Sequence, residues 1–247
     1  MMRNVFLFAL IGLLSVNLFA ESKTGTKPKV AVILSGSGIM DGSEIYEAVF
    51  TVLSLENSNA EIIFTAPDIK QANVVNHLKN DEKTTDTRNV LIESARIARG
   101  NIKDIKTVKS SDIDALIIVG GIGSITNISD FMSKGANGTV NPDVEALIKA
   151  VYADKKPIGS MCAASIILAK VLSGSKIKIT IGKNNDYFGP MLTSFGATHV
   201  ESAGDNIVVD AQNRIVTTPA FMAGPSNPTM YTGIDKMVKQ VLSLVKK

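Results

Sequence analysis

The chain has 247 residues, 45% of them hydrophobic and 20% charged, with a formal net charge of +3 scattered over many segments. That size suits an α/β domain of ordinary dimensions, and the dispersed charge excludes the concentrated basic face of a nucleic-acid binder. One cysteine excludes an internal disulfide, two histidines exclude a histidine-rich metal site, and the lack of tryptophan argues against a base-stacking or sugar-stacking surface.

The first element is a targeting segment. Arg3 supplies a basic start, residues 5–16 are apolar, and Asn17-Leu-Phe-Ala20 ends on a small residue before Glu21. This pattern predicts a secretory signal peptide cut after Ala20, too short for a comfortable membrane span. No cysteine follows it, so no lipid anchor is expected. Residues 21–28 read as a polar, disordered leader and residues 29–247 as a single domain, exported to the periplasm or secreted, with no stable membrane anchor.

Strand and helix signals then alternate. Residues 30–34 form a continuous apolar run, as in a strand buried on both faces. Residues 43–56 carry Ile45, Val49, Val52, Leu53 and Leu55, which predicts an apolar helical face. A strand follows over 61–66, and 67–88 is a long polar excursion of the kind that carries function. A helix over 89–99 stops at Gly100, and a buried strand over 115–119 breaks at Gly120-Gly121. A second excursion, 122–141, precedes a helix over 142–153 opened by Pro142. A short strand ending at Met161 leads into a helix of small residues. Further strands are predicted at 176–181, 207–210 and 214–217, the last two as a hairpin, with helices over 188–195 and 234–245. The fold class is α/β: a doubly wound, mostly parallel sheet sandwiched by helices, with a late antiparallel hairpin. Ligands of such sheets bind beyond the carboxyl ends of the strands.

Three strand ends carry unusual sequences: Ser35-Gly-Ser-Gly-Ile-Met-Asp-Gly-Ser-Glu44, Gly120-Gly-Ile-Gly123, and Ser160-Met-Cys-Ala-Ala-Ser165. The last is a strand–turn–helix break with the geometry of a nucleophile elbow, placing Cys162 at the sheet edge. A thiol at a helix N-terminus feels the dipole and unpaired N–H groups, which favour thiolate. The same cysteine also reads as a small buried hydrophobe. Gly121 and Ala163 could present two N–H donors to an oxyanion.

Glu44 and Glu47 lie on one face of the first predicted helix. Asp41 and Glu44 can form a capping box, which leaves Glu47 as the favoured acid/base and Glu44 as the second candidate. A solvated first-turn acid explains Glu47 equally well. Gly36-x-Gly38 resembles part of a dinucleotide fingerprint, but Asp41 stands where the third glycine belongs and would repel a pyrophosphate, so no cofactor is expected. His77, in the first excursion, could reach a site mouth, whereas His199 fits a structural role in a short strand.

The stretches Ser35-Gly-x-Gly-x-x-Asp-Gly-Ser-Glu-Ile-x-Glu-Ala48, Ala66-Pro-Asp68, Asn76-His77, Thr87-Arg-Asn-Val90 and Glu93-Ser-Ala-Arg-Ile-Ala-Arg-Gly100 continue into Gly120-Gly-x-Gly123, Asn127, Lys156-Pro-Ile-Gly159, Met161-Cys162 and Val216-Thr-Thr-Pro-Ala-Phe-Met222. Together they resemble the DJ-1/PfpI superfamily of class I glutamine-amidotransferase-like proteins, and within it the ElbB/ES1 branch. The resemblance implies a flavodoxin-like sandwich, a nucleophilic Cys162, a partner glutamate at Glu47 or Glu44, and a homodimer. It also implies a cofactor-free glyoxalase that takes small α-oxoaldehyde substrates such as glyoxal and methylglyoxal, with deglycase activity as a related possibility. Asn127, Arg88 and His77 are then candidates for orienting substrate. Ser37, Ile122, Thr126, Ala163-Ala-Ser165 and Gly224-Pro-Ser-Asn-Pro228 depart from the branch pattern around the inferred site. A redox-sensing or ligand-binding stress protein using the same thiol is the alternative.

Overall fold

In a computed structural model, the described residues are 26–79, 82–183, 187–224 and 226–246. The expected signal peptide and the first five residues of the leader lie outside them. The chain forms β1 (Lys29–Ile33), α1 (Ile45–Asn57), β2 (Glu61–Ala66), β3 (Val75–Asn76), β4 (Glu82–Lys83), α2 (Val90–Ile97) and β5 (Ile102–Asp104). It continues through β6 (Ala115–Ile118), α3 (Ile122–Thr126), α4 (Phe131–Lys134), α5 (Pro142–Ala153), β7 (Ile158–Met161) and α6 (Ala164–Val171). β8 (Lys178–Ile179), α7 (Phe188–Ser194), β9 (Thr198–His199), β10 (Val208–Asp210), β11 (Ile215–Thr218) and α8 (Asn227–Ser243) complete it.

The main sheet runs β10-β11-β7-β6-β1-β2-β5, parallel throughout except for the antiparallel β10–β11 pair. Helices cover it, and the architecture is the doubly wound, mostly parallel sandwich with a late antiparallel hairpin that the sequence predicts. The central strands β1 and β6 are buried almost completely, which is why they read as unbroken apolar runs rather than alternating ones. Crossovers place the carboxyl ends of β1, β6, β7 and β11 side by side, so the loops after residues 33, 118, 161 and 218 share one edge.

Four expectations are corrected. Edge strand β5 was not expected; three residues with one lysine give no periodic signal, and pairing with Phe64–Ala66 creates it. The 176–181 strand shrinks to β8, which pairs with β9 in a separate two-stranded sheet. Helix α8 starts seven residues before the predicted 234, because Ser226 accepts from Thr229 N and Pro228 occupies the first turn. The predicted apolar face of α1 turns mostly outward, with Leu55 alone of its five residues buried and Val52 half-buried. Ile45, Val49 and Leu53 are exposed, while Glu47, Ala48, Thr51, Ser54 and Leu55 are buried.

Candidate active site

The edge loops bring a thiol and a carboxylic acid together. β7 ends at Met161, and Cys162 turns the chain with φ of +53°, a left-handed conformation unfavourable for a side chain and typical of an elbow. Its N–H donates to Thr218 O at 3.2 Å, so the end of β11 anchors the turn. The backbone N–H groups of Gly121 and Ala163 act on the sulfur and favour its charged form. Gly121 has φ of +106°, which lets the loop after β6 aim that N–H inward. Its neighbour Gly120 has a second reason to lack a side chain: a Cβ there would lie 2.5 Å from both Cys162 Cβ and Glu47 Oε2.

Glu47 comes from the first turn of α1 and is fully buried. Its Oε2 accepts from Gly120 N at 3.0 Å and its Oε1 from Phe221 N at 3.1 Å, and Cys162 lies beside its carboxyl across Gly120. Glu44, almost as buried, is the N-cap of α1: its Oε2 accepts from Glu47 N at 2.7 Å. Its own N–H donates to Gly120 O at 3.0 Å, which pins the helix tip to the glycine loop. The expected capping box with Asp41 does not form. Asp41 Oδ2 instead accepts from Val75 N at 2.8 Å, holding the first excursion to the loop after β1.

Burial raises the Glu47 carboxyl from its ordinary 4.5 to about 8; the nearby Glu44 charge adds to this, and the Phe221 N–H, Cys162 and the Gly120 N–H oppose it. Burial likewise pushes the Cys162 thiol well above its ordinary range, with the Glu47 charge second, against the two N–H donors. The expectation of a thiolate stabilised by the helix N-terminus is therefore corrected. The N–H donors pull in the predicted direction, but desolvation outweighs them. Cys162 is buried, with 5% of its surface exposed.

The remaining candidates lie in a second layer. Asn127 donates from Nδ2 to Ser35 O at 2.8 Å and Asp41 O at 2.7 Å, and its Oδ1 accepts from Ala72 N at 2.8 Å. Its amide thus ties three loops together. His77 Nε2 accepts from Met40 N at 3.3 Å and its Nδ1 faces Val75 O at 3.2 Å, which assigns the ring proton to Nδ1. Its ring packs on Gly38. Arg88 Nη1 lies 3.4 Å from Glu93 Oε2 beside α2. Among the described residues no three His, Cys, Asp or Glu side chains converge as a metal site. The residues that sequence reasoning missed act through their backbone: Phe221 N–H and Gly120 N–H. Backbone donors leave no residue-type signal, although the quoted Thr-Thr-Pro-Ala-Phe stretch, with a proline stopping a strand, marked the place.

A strained cysteine elbow beside a buried carboxylic acid at the edge of a parallel sheet fits a class I glutamine-amidotransferase-like protein. No protein-family profile matches the chain. The rat ES1 protein homolog, mitochondrial, is 38% identical over 229 residues, covering 90% of this chain and 85% of the relative. The human glutamine amidotransferase-like class 1 domain-containing protein 3, mitochondrial, is 38% identical over 227 residues, covering 89% and 84%. Among solved structures, an isoprenoid biosynthesis protein with an amidotransferase-like domain from Ehrlichia chaffeensis superposes with a TM-score of 0.81 at 36% identity, covering 87% of this chain and 99% of that one. A glyoxalase III from Candida albicans shares the fold, with a TM-score of 0.57 at 16% identity over 89% of this chain and 98% of that one. The chain belongs to the ES1 family of glutamine-amidotransferase-like class 1 proteins. Both curated relatives are named as mitochondrial, and the apolar start of this chain is compatible with a targeting sequence.

Proposed function

We propose that the protein is a cofactor-free glyoxalase that converts small α-oxoaldehydes to hydroxy acids, with Cys162 as nucleophile and Glu47 as acid/base. The observation that carries this reading is the buried juxtaposition of Glu47 and Cys162 across Gly120, in which burial brings the carboxyl to about 8, within range of proton transfer at neutral pH.

The Glu47 carboxylate takes the thiol proton as Cys162 sulfur bonds to the aldehyde carbon. The oxygen of that carbon gains the electron pair, and the N–H groups of Gly121 and Ala163, which already act on the sulfur, stabilise it until protonation gives a hemithioacetal. Glu47 then removes the hydrogen of that carbon as a proton, forming an enediol, and returns a proton to the neighbouring carbon. The resulting thioester is cleaved by water, which releases the hydroxy acid and restores the thiol. Overall one water is added and no electrons are exchanged with a cofactor. Glu44 acts by capping α1 and raising Glu47, and Asn127 by fixing the loops.

The chain is proposed to be exported, on the strength of the apolar start ending at Ala20. It is proposed to pair as a homodimer, supported by the exposed Ile45, Tyr46, Val49 and Leu53 on α1. The deciding experiment is consumption of methylglyoxal and glyoxal by the chain from Glu21 onward, beside Cys162→Ser and Glu47→Gln. Loss of turnover in both variants supports the mechanism; no wild-type turnover, or turnover that survives Cys162→Ser, ends it.

A further inference from the structure

Two adjacent strands end in the same strained way. Met161 of β7 and Thr218 of β11 are register partners. One residue beyond Met161 the chain adopts φ of +53° at Cys162; two residues beyond Thr218 it adopts φ of +47° at Ala220. Neither residue is glycine, the one type that takes this conformation freely. The strain at Cys162 presents a nucleophile. The strain at Ala220 presents no side chain at all, since its methyl is fully buried.

What Ala220 does present is the next N–H. After Pro219, a proline with φ of −68°, the left-handed residue starts a 3-10 turn over Ala220–Ala223 and aims Phe221 N–H at Glu47 Oε1, 3.1 Å away. Within the turn, Met222 N bonds Pro219 O and Gly224 N bonds Phe221 O, so the Phe221 N–H is left to the carboxylate. Gly120 N holds the other oxygen. The end of β11 therefore grips both members of the pair: Thr218 O takes the Cys162 N–H, and Phe221 N–H takes Glu47. Glu44, at the α1 N-cap, and Cys162 are the titratable groups acting on that carboxyl.

We propose that the Pro219-Ala220-Phe221 turn is a positioning element for Glu47, with the left-handed Ala220 directing the Phe221 N–H onto the carboxylate so that its other face meets Cys162. This rests on the reading of Glu47 as the acid/base. Loss of the N–H removes a donor that favours the charged carboxyl, so the first proton of the Glu47–Cys162 pair leaves at higher pH.

The test is the pH dependence of Cys162 alkylation by iodoacetamide, which needs no substrate and is therefore independent of the glyoxalase reading. The full chain from Glu21 onward is compared with Ala220→Val, whose branched side chain resists the left-handed conformation, with Ala220→Gly, which accepts it, and with Phe221→Ala, which keeps the N–H and loses only the ring. The expected result is a midpoint raised by roughly 0.5–1 pH unit in Ala220→Val and unchanged in the other two. A common midpoint in all four proteins overturns the proposal. If Ala220→Val does not fold, the amide resonance of Phe221 decides. A titration of that resonance in step with Glu47, abolished by Glu47→Gln, supports the contact, and a flat response overturns it. A shifted midpoint without methylglyoxal turnover would leave the positioning intact and remove the glyoxalase reading alone.

Discussion

The two faces of α1 invert the usual rule for a surface helix. Its inward face buries Glu47, Thr51 and Ser54 beside Ala48 and Leu55, while its outward face exposes Ile45, Tyr46, Val49 and Leu53. The inward polar groups are each satisfied. Glu47 takes two backbone N–H groups, Thr51 Oγ1 donates to Glu47 O at 2.7 Å, and Ser54 Oγ donates to Asp235 Oδ1 on α8 at 2.7 Å. The outward apolar groups include Tyr46, whose ring lies 6.1 Å from Phe50, itself 5.5 Å from Tyr231 of α8. The contrast teaches that a helix delivering a reactive acid to a buried site is oriented by that acid and its partners. Hydropathy alone places Leu55 of this helix and misplaces Ile45, Val49 and Leu53.

The largest expected effect falls on the inward face. Glu47→Gln lowers kcat with methylglyoxal by roughly 10²–10⁴-fold, because proton transfer is lost, and Cys162→Ser lowers it at least as far. In the wild type, kcat/KM rises with pH through about 8, since the pair must shed one proton before the sulfur attacks. Steady-state kinetics between pH 6 and 9 (roughly the range spanning that midpoint) measure both.

Stability against pH sharpens the same point. Because the folded state holds the Glu47 proton more tightly than the unfolded chain, its contribution is fullest below 4.5 and is lost as pH rises to about 8. The loss is on the order of 5 kcal/mol. Glu47→Gln removes that slope but turns an amide NH₂ toward one of the two N–H donors. The variant is thus less stable than wild type in acid, and the gap narrows toward alkaline pH, as urea unfolding at several pH values would show. A constant gap would mean that Glu47 is already ionised at low pH.

Ser54→Ala should cost about 1–2 kcal/mol by leaving Asp235 short of a donor, although Asp235 keeps Lys239 at 2.7 Å. On the outward face Val49→Lys should change the stability of the isolated subunit by less than about 0.5 kcal/mol. The same change should abolish self-association in sedimentation velocity. Unchanged sedimentation, with the protein dimeric in both forms, would move the proposed dimer contact off α1.

Much of the fold was legible in the chain because the central strands are buried on both faces. Runs such as Ala115-Leu-Ile-Ile118 can be little else, and glycines at their ends mark the turns. The elbow was legible for the same reason, an apolar strand meeting a helix of small residues at Cys162. Asn127 and Arg88 were visible as polar residues in loops, yet residue type could not say which groups would absorb them. Asn127 ties Ser35, Asp41 and Ala72, all distant in sequence.

By itself, the sequence determined the layer architecture, the strand that carries Cys162 and the helix that carries Glu47, because burial and turn chemistry are local properties written in residue type. Only the tertiary structure decided which face of α1 turns inward, which of Glu44 and Glu47 meets the sulfur, and where the protons rest. Those outcomes depend on desolvation and on backbone N–H groups supplied by Gly120 and Phe221, 73 and 174 residues away along the chain. Every residue but proline carries such an N–H, so its identity cannot announce where it will point.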